Sequence, residues 1–117
     1  MPENKPNISY DDFAKLEIRI GTIVSAELVP DTQKLIKCTV DFGYLPAGGG
    51  KRIIVSGIAG WKSPSDLIGR QCPYVVNLEP RVIRGIESEG MLLAIRTKDG
   101  ISLLYPDNSV EPGASVC

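Results

Sequence analysis

Between Asn77 and Met91 the sequence reads Asn-Leu-Glu-Pro-Arg-Val-Ile-Arg-Gly-Ile-Glu-Ser-Glu-Gly-Met, and here residue types suited to binding chemistry are densest. Arg81 and Arg84 carry planar guanidinium groups, which grip phosphate through two parallel hydrogen bonds and stack on bases. Asn77 and Ser88 can each donate and accept, a capacity suited to sugar and base edges. Met91 offers a flexible apolar surface on which a base can lie. The same composition also describes a solvated charged hairpin in which Glu87 and Glu89 merely pair with the arginines. The residues alone leave both readings open.

Other cations lie nearer the N-terminus. Lys34 and Lys37 stand three apart, a spacing that puts them on opposite faces of a strand. Lys51 and Arg52 follow Gly48-Gly49-Gly50, but no Gly-Lys-Ser/Thr ending and no following helix make this a phosphate-binding loop. Tyr44 and Trp61 are loop aromatics that either stack on a base or cover the end of a core. With 6% aromatic residues the chain is a poor stacking platform, which favours recognition of RNA shape and backbone over reading of a long single strand.

What is missing narrows the chemistry. The 117 residues contain no histidine, which removes His-based triads, His metal sites and the usual proton shuttle of neutral pH. Cys38, Cys72 and Cys117 are far apart, so neither a zinc site nor a disulfide framework is indicated, and no metal or cofactor is expected. Glu87 and Glu89 are close in sequence, but a glycosidase-like pair needs a deep cleft that so small a chain has little room for. No enzyme is expected. The net charge is −1, yet residues 51–100 carry eight basic side chains against five acids, and it is the local field that attracts phosphate. No apolar run approaches the roughly 20 residues of a membrane span, and residues 1–10 lack the apolar core of a signal peptide. A soluble, cytoplasmic protein is the expectation.

The elements that must position these residues are short. Ser9 caps a brief helix carrying Asp11 and Asp12 in its first turn, with Phe13 expected to plug one end of the core. Leu16 to Val24 alternates apolar and polar residues and is interrupted by Gly21, as in a kinked or bulged half-buried strand. Further strands are predicted over Lys34–Phe42, Lys51–Ser56, Gln71–Leu78 and Met91–Ile95. A single helical turn is predicted at Ser63–Gly69, a charged loop over Pro80–Gly90, and a turn at Lys98-Asp99-Gly100 leading to Ile101–Tyr105. The tail from Pro106 reads as turns. Three strands, a helix and two strands match an OB-fold, a five-stranded Greek-key barrel whose loop between strands 4 and 5 borders the ligand face. The expected fold is thus all-β, one domain over residues 1–117, with a flexible N-terminus at 1–8 and a C-terminal extension at 97–117.

The sequence also resembles the tRNA-binding domain family, which includes the C-terminal domain of many methionyl-tRNA synthetases and freestanding structure-specific tRNA-binding proteins. The resemblance rests on Asp12-Phe13-Ala14-Lys15, Ile18-Arg19-Ile20-Gly21, Lys34-Leu35-Ile36-Lys37, Val40-Asp41-Phe42-Gly43, Ile54-Val55-Ser56-Gly57-Ile58-Ala59, Asn77-Leu78-Glu79-Pro80-Arg81 and the run from Gly85 to Ala94. Ser88-Glu89-Gly90-Met91 after an Asn-x-x-Pro-Arg strand end is its most specific part. The resemblance implies an OB-fold that homodimerises through the extension and the N-terminal region. It also implies a non-catalytic role in holding tRNA by shape beside a methionyl-type synthetase. The binding face would include Lys34, Lys37, Asn77, Arg81, Arg84, Ser88 and Met91, with Lys51 and Arg52 as further members. Export-linked chaperones of the CsaA type share the scaffold and bind peptides, which makes a dimeric peptide-binding chaperone the alternative.

Overall fold

The computed structural model describes residues 4–43 and 50–117. Tyr44 and most of the glycine run, Gly48 and Gly49 included, lie outside the described residues, as do the first three of the N-terminal residues expected to be flexible.

Helix α1 spans Tyr10–Ala14 and begins where expected: the Ser9 hydroxyl accepts from the Asp12 amide at 3.1 Å. Phe13 does not plug the core. It is 42% exposed, α1 buries none of its residues, and the Phe13 ring lies against Tyr10 instead. Phe42 and Tyr74 supply the buried aromatic bulk, meeting edge to face with ring centroids 5.4 Å apart.

Strand β1 runs over Ile18–Leu28, longer than its alternation foretells, because it serves two partners. Its second half pairs antiparallel with β2 (Ile36–Asp41), and its first half with β4 (Gln71–Val75). The register shifts between Ile23 and Ser25, which places the bulge after Gly21, not at it. Gly21 has another use: a Cβ there would stand 2.3 Å from a Val40 methyl and 2.7 Å from the Phe42 ring, so glycine lets the strand backbone approach the core. Strand β3 (Lys51–Ser56) follows on the far side of β2, then α2 (Pro64–Leu67).

Between β4 and the next barrel strand the chain makes a hairpin, β5 (Arg81–Ile83) and β6 (Ile86–Ser88), where a loop was expected. Residues 81–88 show no strict alternation (Val82-Ile83 and Glu87-Ser88 are like neighbours), and their Arg84-Gly85 turn is not the usual Asn-Gly signal. The fifth expected strand divides at Leu93. Met91–Leu92 forms β7 on the edge of β4, and Ala94–Thr97 forms β8, which pairs with β9 (Gly100–Leu103) as a separate hairpin.

The main sheet has the order β3-β2-β1-β4-β7, a nearly closed five-stranded antiparallel OB-like barrel. Ile23, Ile36, Cys38, Val40, Phe42, Ile54, Leu67, Cys72 and Tyr74 fill its centre. Alternation sets this core, as in β2, where Ile36, Cys38 and Val40 are buried and the residues between them are not. Burial pushes the Cys38 and Cys72 thiols up to about 11, with Cys38 also raised by its neighbour Cys72. The tail is not only turns. Gly113 and Val116 donate to the Ile20 and Ile18 carbonyls, Ile20 donates to Ala114, and Arg19 bridges to Ser115. Residues 113–116 therefore lie along the stretch of β1 that β2 does not reach. Gln71 anchors the approach to this tail, exchanging hydrogen bonds with both backbone groups of Val110.

Candidate nucleic-acid interface

The nine residues expected at the binding face divide by what their polar atoms do. Three are engaged in closing the barrel. The strand edges of β3 and β7 do not meet in a continuous ladder. The gap is bridged by Glu89, whose amide donates to the Ile53 carbonyl at 2.9 Å, and by the Val55 amide, which donates to the Ser88 hydroxyl at 3.0 Å. Ser88 is 4% exposed, the one buried polar residue among those described, and its Oγ stands in for a missing backbone carbonyl. Arg52 is half-buried beside it. Its Nη1 donates to the Val76 carbonyl at 2.7 Å and more distantly to that of Glu89. Asn77 is open to solvent, yet both ends of its amide are occupied: Oδ1 accepts from the Glu17 amide and Nδ2 donates to the Lys15 carbonyl, tying the end of β4 to the start of β1.

The β5–β6 hairpin carries two exposed arginines. Arg81 lies opposite Ser88 in the ladder and Val82 opposite Glu87. Alternation therefore sends Arg81 and Ile83 to one face and Val82 to the other, with Glu87 on Val82's side, away from Arg81. Among the described residues neither Arg81 nor Arg84 forms an ion pair. Arg84 occupies the turn with φ +52 and is followed by Gly85 at φ +78, the two left-handed positions of a tight hairpin turn. A left-handed residue with a Cβ costs about 1–2 kcal/mol, so this arginine sits where asparagine or glycine would be cheaper. At the tip it reaches an open notch shared with Asp31, Thr32, Gln33 and Lys34, so Lys34 and Arg84 come together from loops fifty residues apart in sequence.

On the other side of the hairpin lies a groove of about 800 Å³. Arg81, Met91 and Arg96 line it with Leu78, Ile83, Ile58 and Ile101, and among the described residues Glu79 is its only acidic wall residue. Met91 is 47% exposed, as a contact surface must be. Arg96 on β8 was not anticipated. Only the basic excess of residues 51–100 points toward it in the sequence, because its approach to the groove depends on how the second hairpin folds back. Trp61 holds that hairpin: a Cβ on Gly100 would come within 2.4 Å of two indole ring atoms, so the glycine leaves room for the ring to lie on the turn. At 54% exposed, Trp61 covers that turn and not the barrel end. The remaining lysines are peripheral. Lys37 pairs with Glu27 at 3.5 Å, and Lys51 is exposed at the start of β3 beside Asp41 in the ladder. Among the described residues no cluster of His, Cys, Asp or Glu is placed to hold a metal, and no helix is long and apolar enough to cross a membrane.

A small five-stranded OB-like barrel of this kind belongs to a fold class that commonly binds oligonucleotides and oligosaccharides. Residues 18–115 match a family model described as "Putative tRNA binding domain". The chain belongs to this tRNA-binding domain family. A methionine–tRNA ligase from Parabacteroides distasonis is 42% identical over 113 residues, covering 96% of this chain but 16% of the ligase. The chain thus spans about a sixth of the length of such relatives. Among solved structures it is similar to a MetRS-related protein from Pyrococcus horikoshii (38% identity, TM-score 0.87, 97% of this chain and 100% of that one). It is also similar to the chaperone CsaA from Bacillus anthracis (31% identity, TM-score 0.83, 96% and 100%).

Proposed function

We propose that this chain is a non-catalytic tRNA-binding module that serves a methionyl-type aminoacyl-tRNA synthetase in the cytoplasm. The observation that carries the reading is the β5–β6 hairpin, which holds Arg81 over the groove and Arg84 beside Lys34, with no carboxylate paired to either arginine among the described residues. Guanidinium groups on both sides of a projecting hairpin contact phosphates of a folded RNA at two places, which selects shape over sequence. Met91 adds an apolar contact. Lys37, Lys51 and the solvent-facing edge of Asn77 extend the cationic and polar rim, while Arg52 and Ser88 serve it from beneath by holding the hairpin's base.

The module works as a homodimer. Tyr10, Phe13 and Leu16 form an exposed apolar surface at the N-terminus, and the exposed Val116 of the C-terminal extension lies against neighbouring β1. Exposed apolar side chains clustered in this way mark a site of association. Light scattering of the chain gives twice the monomer mass on this reading.

A gel shift with total tRNA across a salt series tests the function. The Arg81→Ala/Arg84→Ala variant binds at least about tenfold more weakly at moderate salt, and its salt slope is shallower by about one per arginine removed. Unchanged retention of tRNA by the double variant overturns the proposed face. The second reading, a dimeric peptide-binding chaperone, draws on the apolar floor of the groove and the likeness to CsaA. It requires salt-tolerant capture of unfolded chains with no preference for tRNA.

A further inference from the structure

We infer that the groove between the two hairpins takes the unpaired 3′ end of an RNA, so that the module grips a folded RNA outside and a single strand within. This inference rests on the tRNA-binding reading above and gives the groove a ligand of its own.

Three observations lead there. First, the groove is larger than phosphate gripping needs. Its volume of about 800 Å³ lies in the upper range of small-ligand sites, roughly 300–1,000 Å³. A binder of duplex backbone gains nothing from a floor of Ile58, Ile83 and Ile101, because the bases of a duplex are stacked inside it. Second, the charge is one-sided: Arg81 and Arg96 rise from different hairpins against the single carboxylate of Glu79. The occupant is therefore anionic and also has apolar faces, and these two features alternate along an unpaired nucleotide strand. Splayed bases stack on guanidinium planes and lie on aliphatic and thioether surfaces. Third, the β3 edge beneath the groove is already taken. The Ile53 carbonyl already accepts from Glu89, and the Val55 amide already donates to Ser88. A peptide adding itself to β3 by main-chain hydrogen bonds finds those positions filled.

A terminus fits better than a loop. The groove has β5 and Arg81 on one side and β8 with Arg96 on the other. One strand threads between such walls, whereas a loop brings two.

The test compares intact unmodified tRNA with the same tRNA trimmed of its four unpaired 3′ nucleotides. It adds a free single-stranded tetranucleotide of the same sequence with a terminal 2-aminopurine. Trimming should weaken binding about tenfold, in line with the loss of one or two stacked bases. The tetranucleotide's fluorescence should change on adding the chain. That change should disappear with Arg96→Ala and fade with Met91→Ala, both at exposed positions, while circular dichroism stays that of the parent. Equal binding of intact and trimmed tRNA overturns the groove assignment and leaves tRNA binding standing. Loss of binding to both tRNAs overturns the tRNA-binding reading itself. If an unfolded acidic peptide, and not the tetranucleotide, binds in a manner sensitive to Arg96→Ala, the groove is a peptide site and the inference falls.

Discussion

The seam where β3 meets the Ser88–Gly90 segment and the rim formed by the β5–β6 hairpin draw on the same short stretches of sequence, yet they use them in opposite ways. At the seam, Arg52 and Ser88 turn inward and their polar atoms satisfy backbone groups of neighbouring strands. At the rim, Arg81 and Arg84 have no carboxylate partner among the described residues and face open space. A recognisable run such as Ser88-Glu89-Gly90-Met91 is thus part mortar and part contact surface. Its serine supplies the one oxygen that a gap in the barrel needs, while its methionine stays exposed along the groove.

The contrast breaks most easily at the seam. Ser88→Ala leaves the buried Val55 amide without an acceptor and should cost about 1–3 kcal/mol in urea unfolding, with tRNA affinity of the folded fraction nearly unchanged. A variant of full stability that binds poorly would move Ser88 from the seam to the rim. A smaller effect of mixed sign is expected at Arg84→Asn. Relief of the left-handed arginine stabilises the hairpin by up to about 1 kcal/mol. The loss of one phosphate contact weakens tRNA binding severalfold in the same protein. A more stable variant that binds as tightly as the parent would leave the strained arginine without a purpose. The smallest effect concerns the thiols, which sharpen the distinction between interior and surface. At neutral pH a mild thiol reagent should label the exposed Cys117 and spare Cys38 and Cys72 until the chain unfolds, as mass spectrometry can follow. The two buried thiols are held up near 11 from an ordinary 9.0. Their contribution to stability is therefore complete below pH 9 and is lost as pH rises toward 11, because the unfolded chain releases those protons first.

Much of this was legible in the residues. β3 forms over the Lys51–Ser56 run predicted as a strand, α2 follows the Ser63-Pro64 start, and Ser9 caps α1 as its type foretells. These features depend on neighbours in sequence. The β5–β6 hairpin was read as a loop because its turn has arginine at a position usually held by asparagine, a departure that local propensity counts as evidence against a hairpin. Phe13 was misplaced because a large apolar side chain on a five-residue helix gives no sign of whether that helix lies on the barrel or off it. The division between seam and rim was hidden for a different reason. Arg52 and Arg81 are the same residue type in similar polar surroundings, and only the closure of the barrel decides which has a carbonyl within reach. Arg96 was missed on the same ground, since its place in the groove depends on Trp61 lying over Gly100.

The stretch 113–116 is synthesised long after the first strand, along which it lies. Arg19 donates to the Gly113 carbonyl from 94 positions away, and backbone hydrogen bonds run from Ile18 and Ile20 to the same segment. A growing polypeptide therefore leaves the outer border of β1 uncovered until residues 113–116 clear the ribosome. Contacts of such long sequence separation make for slow folding, on the order of milliseconds to seconds for barrels of this kind. During that interval the bare strand is open to pairing with another chain, so translation speed between β1 and residues 113–116 bears on how much of the barrel reaches its native form.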